Sequence, residues 1–359
     1  MIETITIINY QKFPGSAIVR LEKPNGSKGN AMELTVRPLG RTLSVEPGAN
    51  LLEALRAAEI PISYSCMAGR CGVCRCKVVQ GQVLAANGEL RQPMIGEGEQ
   101  VLACQSTLTG PVSIEIPEPD EVVVHTAKTL KATVVEIADE THDIRRILLK
   151  PAKPLDFTAG QYATLQFGPD LVRPYSMAGL PSDEVLEFHV RLVPGGRVSP
   201  HVFETLKVGD AVKVSGPLGA SYLRRKHAGP ILLVAGGTGL APVLSILRGA
   251  LAEGMTNPIH LYFGVRTERD VYALDRLRAL AEAHPQVKVH VVISHGPVPA
   301  GLRGGLVTDA IAADWSSLEG FRTWLCGAPA MVEAATLVVK RLGIPLEHVY
   351  ADAFYSTGY

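Results

Sequence analysis

The chain has 359 residues, 47% of them hydrophobic and 19% charged, with a formal net charge of zero. That length suits two or three ordinary domains, each able to bury a core, and the balanced charge argues against a nucleic-acid binder, which needs a surplus of Lys and Arg for phosphate contacts. The best apolar runs, Ile231 to Ala235 and Val289 to Ile293, fall far short of the roughly 18 residues of a membrane span, so the sequence reads as soluble.

The first residues, "MIETITIINYQKF", carry Glu3, have no basic cluster ahead of the apolar run and no small-residue cleavage site. They fail as a secretory signal and point to the cytoplasm. In that reducing compartment clustered cysteines bind metal or do redox chemistry more often than they form disulfides. Residues 1–31, with the turn-rich "EKPNGSKGN", read as an extension, either a tail or an upstream start, and receive no function.

From Met32 to about residue 120 the pattern is that of a small domain. "MELTVRPLGRTLSVEPG" predicts two alternating strands, "ANLLEALRAAEI" a helix with Leu51, Leu52, Leu55 and Ala58 on its apolar face, and "PVSIEIPE" a closing strand. Between them "SCMAGRCGVCRC" places four of the six cysteines in twelve residues. Structural zinc favours paired C-x2-C knuckles, and the sequence holds no second pair. Cys66, Cys71 and Cys74 stand as C-x4-C-x2-C with Cys104 far downstream in "VLACQS", the plant-type spacing for a 2Fe-2S cluster. Gly69 and Gly72 let the backbone wrap closely and aim N–H groups at the sulfurs. Cys76 reads as a small buried residue on the next strand. Through "YSCMAGRCGVCRCKV" and "VLACQS" this stretch resembles the β-grasp ferredoxin fold.

"PEPDEVVVHTAK" reads as a linker, and from 126 to 228 strand-like stretches alternate with turns, which predicts an antiparallel β-barrel. In "RPYSMAG", Arg173 can pair with a phosphate, Tyr175 offers a flat ring and Ser176 a hydroxyl. Twenty residues later "PGGRVSPHVFETL" sets a Gly pair before a helix, whose first N–H groups suit a phosphate. Together these strings resemble the flavin domain of the ferredoxin-NADP reductase superfamily. The resemblance implies FAD, with Arg173 at its phosphates, Tyr175 against the isoalloxazine, Ser176 near its N5 and Pro174 among the residues that bind the cofactor. It also implies that Gly195, Gly196, Arg197, Val198 and Ser199 hold the pyrophosphate. His201 is read as an ordinary helix residue.

From 229 to 359 strand-helix units repeat, which predicts a parallel sheet wrapped by helices. The turn "GGTGLAP" is not a strict G-x-G-x-x-G, because Pro242 stands at the third glycine, a residue that suits a first helical turn. In the same superfamily this turn binds the nicotinamide dinucleotide and "CGAPAM" places a cysteine beside the nicotinamide. The resemblance therefore assigns Gly236, Gly237, Thr238, Gly239 and Pro242 to the dinucleotide, Cys326 and Gly327 to the hydride site, and Phe354 to the flavin ring, with Tyr355 second. Ser176, Cys326 and Phe354 form the catalytic set. Beyond "YFGV", Arg266 and Arg269 would attract a 2′-phosphate and Glu268 repel it, so the residues leave the preference open; NADH is taken as the donor, with NADPH also admitted.

The order of the three domains, with "HDIRRI", "GQYATLQF", "RPYSMAGLP", "LCGAPAMVEA" and "YADAFY", is similar to the reductases of naphthalene-type ring-hydroxylating dioxygenase systems. That resemblance implies transfer from NAD(P)H through FAD and the cluster to a Rieske-type ferredoxin. A reductase feeding its oxygenase directly and a redox sensor are the alternatives, although no effector segment supports the second. Arg70, Arg75 and Lys77 form a basic rim around the cluster loop, with no acidic residue between Ile60 and Asn87.

Overall fold

The computed structural model describes residues 3–4, 31–58, 60, 62, 64, 69, 74–94, 97–116, 121, 123 and 125–355. The chain divides into two units, Met1–Asp120 with Tyr355–Tyr359, and Glu121–Phe354.

The first unit contains β1 (Glu3–Thr4), β2 (Met32–Arg37), β3 (Arg41–Val45), α1 (Leu51–Ala57), β4 (Arg75–Gln80), β5 (Val83–Ala85), β6 (Leu90–Arg91), β7 (Glu99–Leu102), β8 (Ser106–Leu108) and β9 (Val112–Glu115). Strict alternation along β2 sends Met32, Leu34 and Val36 inward, as expected of a sheet with one covered face. Six strands pair in the order β1-β3-β2-β9-β4-β7, and β6-β5-β8 form a smaller sheet. Helix α1 packs Leu51, Leu52, Ala54 and Leu55 into the core. Its cap, Asn50, accepts from the Glu53 N–H at 3.2 Å and donates to the Cys104 carbonyl at 3.0 Å, so the helix start and the cysteine segment are tied together. Residues 1–31 of the expected extension lie outside the described residues except for Glu3–Thr4 in β1 and residue 31.

The second unit opens with β10 (Lys128–Asp139), β11 (Ile144–Pro151), β12 (Tyr162–Gly168), β13 (Leu171–Ser176), β14 (Leu186–Arg191), α2 (Val198–Glu204) and β15 (Ala211–Leu218). These strands form one antiparallel sheet, β13-β12-β15-β10-β11-β14. A bridge between Met177 and Phe188 draws its two edges together into a near-barrel around Val134, Ile147, Leu165 and Phe188. Then follow β16 (Ile231–Gly236), α3 (Leu240–Ala252), β17 (Ile259–Val265), α4 (Leu274–Ala283), β18 (Val287–Ile293), β19 (Arg303–Gly304), α5 (Val307–Asp314), β20 (Arg322–Gly327), α6 (Pro329–Arg341) and β21 (Val349–Ala353). They build a parallel sheet in the order β19-β18-β17-β16-β20-β21. The order reverses at β16, and in such sheets ligands bind beyond the carboxyl ends of the strands at that switch.

The two halves of this unit share a core. Ile144, Ala159 and Leu223 from the barrel side belong to the same apolar cluster as Leu233 of β16 and Val243 of α3. Polar contacts fasten the seam: Ser245 Oγ donates to the Gly179 carbonyl at 2.7 Å, and the Trp324 indole N–H donates to the Tyr222 carbonyl at 3.1 Å. Among the described residues no helix is long and apolar enough to cross a membrane.

Candidate functional site

In the first unit the 3-10 turn Ala103–Gln105 brings Cys104 against Cys74. The Cys104 N–H donates to the Cys74 sulfur at 3.5 Å, and Gln105 Nε2 donates to the Cys104 sulfur at 3.8 Å. A hydrogen bond with Cys74, then others from the Gly69 backbone and Gln105, outweigh burial and lower the Cys104 thiol to about 6. Gly69 is required here, because at its φ of +78° a Cβ would come within 2.7 Å of Gln105 Cγ. Thiolate character and N–H groups aimed at sulfur are what a thiolate-bound metal cluster needs, so this donor set fits one. Cys66, Cys71, Arg70 and Gly72 lie outside the described residues. Cys76 is buried on β4, and desolvation pushes its thiol up to about 12, the opposite of a ligand's requirement.

In the second unit Arg173, Pro174, Tyr175 and Ser176 lie on β13, an edge strand where a proline costs no ladder hydrogen bond. Burial raises the Tyr175 phenol well above its ordinary range although Arg173 opposes this, so the ring is neutral. Gly195, Gly196 and exposed Arg197 form the turn into α2, where Val198 and Ser199 are buried. Ser199 Oγ accepts from the Val193 N–H at 2.9 Å and closes that turn. His201 sits in α2 near the Phe167 ring.

Gly236 ends β16, and Gly237, Thr238 and Gly239 form a 3-10 turn that runs into α3, with Pro242 in the helix's first turn. A Cβ on Gly239 would lie 2.0 Å from the Cys326 carbonyl oxygen, so only glycine lets this turn pack on the end of β20, where Cys326 and Gly327 stand. Cys326 is fully buried, and burial, then the Asp352 carboxylate, push its thiol well above its ordinary value. Asp352 also accepts from Ser176 Oγ at 2.9 Å and pairs with Cys326 across β20 and β21. Two residues on, the Phe354 N–H donates to the Gly327 carbonyl at 2.8 Å. The chain thus brings Ser176 and Cys326 to Asp352, while the Phe354 backbone is tied to Gly327, the residue after Cys326. Asp352 was not foreseen from the sequence, where it is one acid in "YADAF". Arg266 lies 3.6 Å from Asp143 and 3.8 Å from Asp270, while Arg269 Nε donates to His142 Nδ1 at 3.2 Å.

A ferredoxin-like unit with a cysteine pair, together with a near-barrel joined to a nucleotide-type parallel sheet, defines an iron-sulfur flavoprotein reductase. Three family profiles match the chain: a 2Fe-2S iron-sulfur cluster binding domain over residues 34–109, an oxidoreductase FAD-binding domain over 131–222 and an oxidoreductase NAD-binding domain over 233–336. The chain is 59% identical over 327 residues to the ferredoxin–NAD(P)+ reductase component of the naphthalene 1,2-dioxygenase/salicylate 5-hydroxylase systems of Ralstonia sp., covering 91% of this chain and 100% of the relative. It is 57% identical, with the same coverage, to the reductase component of the naphthalene 1,2-dioxygenase system of Pseudomonas putida. Among solved structures, the Amycolatopsis cytochrome P450 reductase GcoB superimposes with a TM-score of 0.68 at 38% identity, covering 90% of this chain and 98% of that one. The chain belongs to the family of ferredoxin–NAD(P)+ reductase components of naphthalene dioxygenase-type systems.

Proposed function

We propose that the chain is the electron-transfer reductase of a multicomponent aromatic-ring dioxygenase system, drawing on NAD(P)H and delivering single electrons to a Rieske-type ferredoxin. In this reading residues 32–120 carry the cluster on Cys66, Cys71, Cys74 and Cys104, residues 126–228 hold FAD and residues 229–359 hold the dinucleotide. When bound, FAD supplies the exchange between two-electron hydride chemistry and one-electron transfer, and the cluster supplies the one-electron outlet.

The protein's own groups do the rest. Arg173 offers a charge to the flavin phosphates, and Tyr175, neutral through burial, offers a flat apolar face to the ring. The turn from Gly195 to Ser199 and the turn from Gly236 to Gly239 present N–H groups to the two pyrophosphates. Ser176 is oriented by Asp352, and Cys326 stays a neutral thiol that excludes water from the hydride site. Arg266 is engaged by Asp143 and Asp270, which supports NADH as the donor, since a 2′-phosphate would have to compete with both carboxylates. The observation that carries the reading is the meeting of Ser176 and Cys326 at Asp352, with the Phe354 backbone tied to Gly327, at the carboxyl end of the sheet.

Steady-state reduction of a purified Rieske-type ferredoxin with NADH and NADPH in parallel tests it. Rapid reduction, faster with NADH, is the expected result. Reduction only of the terminal oxygenase, with the ferredoxin untouched, would favour a two-component reductase and overturn the partner assignment.

A further inference from the structure

A buried polar chain runs from the barrel to the dinucleotide turn. On β14, Glu187 and His189 are 7% and 4% exposed. Arg276 of α4 grips Glu187 with both terminal nitrogens, at 2.7 and 3.1 Å. His189 reaches Glu187 through Nε2 and the Tyr272 hydroxyl through Nδ1, both at 3.0 Å. Tyr272 in turn donates to the Gly237 carbonyl at 3.3 Å. The Tyr272 ring is fixed edge-on against His189 and Phe263. Ala273, at a strained φ of 55°, turns the backbone sharply into α4 just after it.

Although burial opposes this, hydrogen bonds from His189 and Arg276 hold the Glu187 carboxyl below the usual carboxylate range, so an ionised carboxylate anchors the buried end of the chain.

We propose that His189 and Tyr272 are positioning residues for the dinucleotide: Tyr272 fastens the Gly237 carbonyl, and His189, anchored on Glu187, fixes the Tyr272 hydroxyl. The proposal rests on the reading that the Gly236–Gly239 turn seats the dinucleotide. The other charged groups that face this chain are Glu140, which is paired with Arg146, and Arg191, which is paired with Asp143. A cleft of about 240 Å³, lined by Glu140, Arg146, His189, Tyr272, Ala273 and Arg276, lies beside this chain.

The test uses the holoprotein at one neutral pH and reads KM for NADH with ferricyanide as acceptor and, without turnover, Kd for NAD+ by calorimetry. Tyr272→Phe keeps the ring packing but removes the hydroxyl, so both constants rise about three- to tenfold while kcat changes less. His189→Ala, which frees the Tyr272 hydroxyl, raises both in the same direction, and His189→Gln restores part of the loss. Unchanged constants in Tyr272→Phe, or a fall in kcat with KM and Kd unmoved, overturn the proposal. A parent with no NADH–ferricyanide activity overturns the dinucleotide reading and this proposal together.

Discussion

Two thiols of the first unit differ in one property that decides their chemistry. Cys104, lowered to about 6 by its contact with Cys74 and by nearby N–H donors, is prepared to be a thiolate. Cys76, raised to about 12 by burial, is prepared to stay neutral. A metal ligand must be deprotonated. Cys104→Ser should therefore abolish the visible iron-sulfur absorption, as should Cys66→Ser, Cys71→Ser and Cys74→Ser, while Cys76→Ser keeps it. Bleaching by Cys76→Ser with intact bands in Cys104→Ser would reverse the assignment. In the second unit, Arg173→Ala removes a charge-assisted contact worth roughly 1.5 to 3 kcal/mol, so flavin affinity should fall about ten- to a hundredfold with the cluster bands unchanged. Flavin content that survives extensive dialysis of this variant would count against a phosphate role.

At the level of the elements, β14 carries a charge cluster whose effect on stability depends on pH. Burial of Glu187 is outweighed by hydrogen bonds from His189 and Arg276, so its carboxyl titrates below its ordinary value of 4.5. A group depressed in the folded state stabilises the fold above its unfolded value and loses that contribution as pH falls. Glu187→Gln should therefore be less stable than the parent at neutral pH, and the gap should close on acidification below about pH 4.5 in urea unfolding at a series of pH values. A gap that widens toward acid would refute the sign.

This cluster also marks the limit of what the sequence makes legible. The cysteine spacing, "RPYS", "GGTGLAP" and "CGAP" are local strings on turns and strand ends, where chemistry and backbone geometry lie within a few residues. The strand periods of β10 to β15 and the strand-helix alternation after β16 are likewise local, and they predict the near-barrel and the parallel sheet. Ser176 and Asp352 are 176 positions apart, and His189 and Tyr272 are 83. Such pairs exist only after β13 and β14 have closed the barrel and packed on the parallel sheet. The small β6-β5-β8 sheet went unread as well, because its strands are two or three residues long, too short for a period to show.

For the whole molecule, zero net charge still leaves a basic stretch of sequence at the cysteine loop, although Lys77 stands opposite exposed Glu115 of β9. Arg75 is exposed and Lys77 half-exposed on β4, and the sequence holds no acid from Ile60 to Asn87, whereas Arg70 lies outside the described residues. A basic rim of this kind speeds encounter with an acidic partner and weakens as salt shortens the Debye length from about 30 Å at 0.01 M to about 10 Å at 0.1 M. Arg70→Glu with Arg75→Glu should slow ferredoxin reduction several-fold at low salt and less at high salt, leaving NADH–ferricyanide activity near normal. Equal rates at low ionic strength would place the docking surface elsewhere. On the proposed route electrons enter through the flavin half and leave only through the cysteine cluster. It is tested most directly by comparing the parent and Cys104→Ser for NADH-driven reduction of ferricyanide and of a Rieske-type ferredoxin. Cys104→Ser should keep ferricyanide reduction and lose ferredoxin reduction; ferredoxin reduced by Cys104→Ser at the parent's rate would contradict this route.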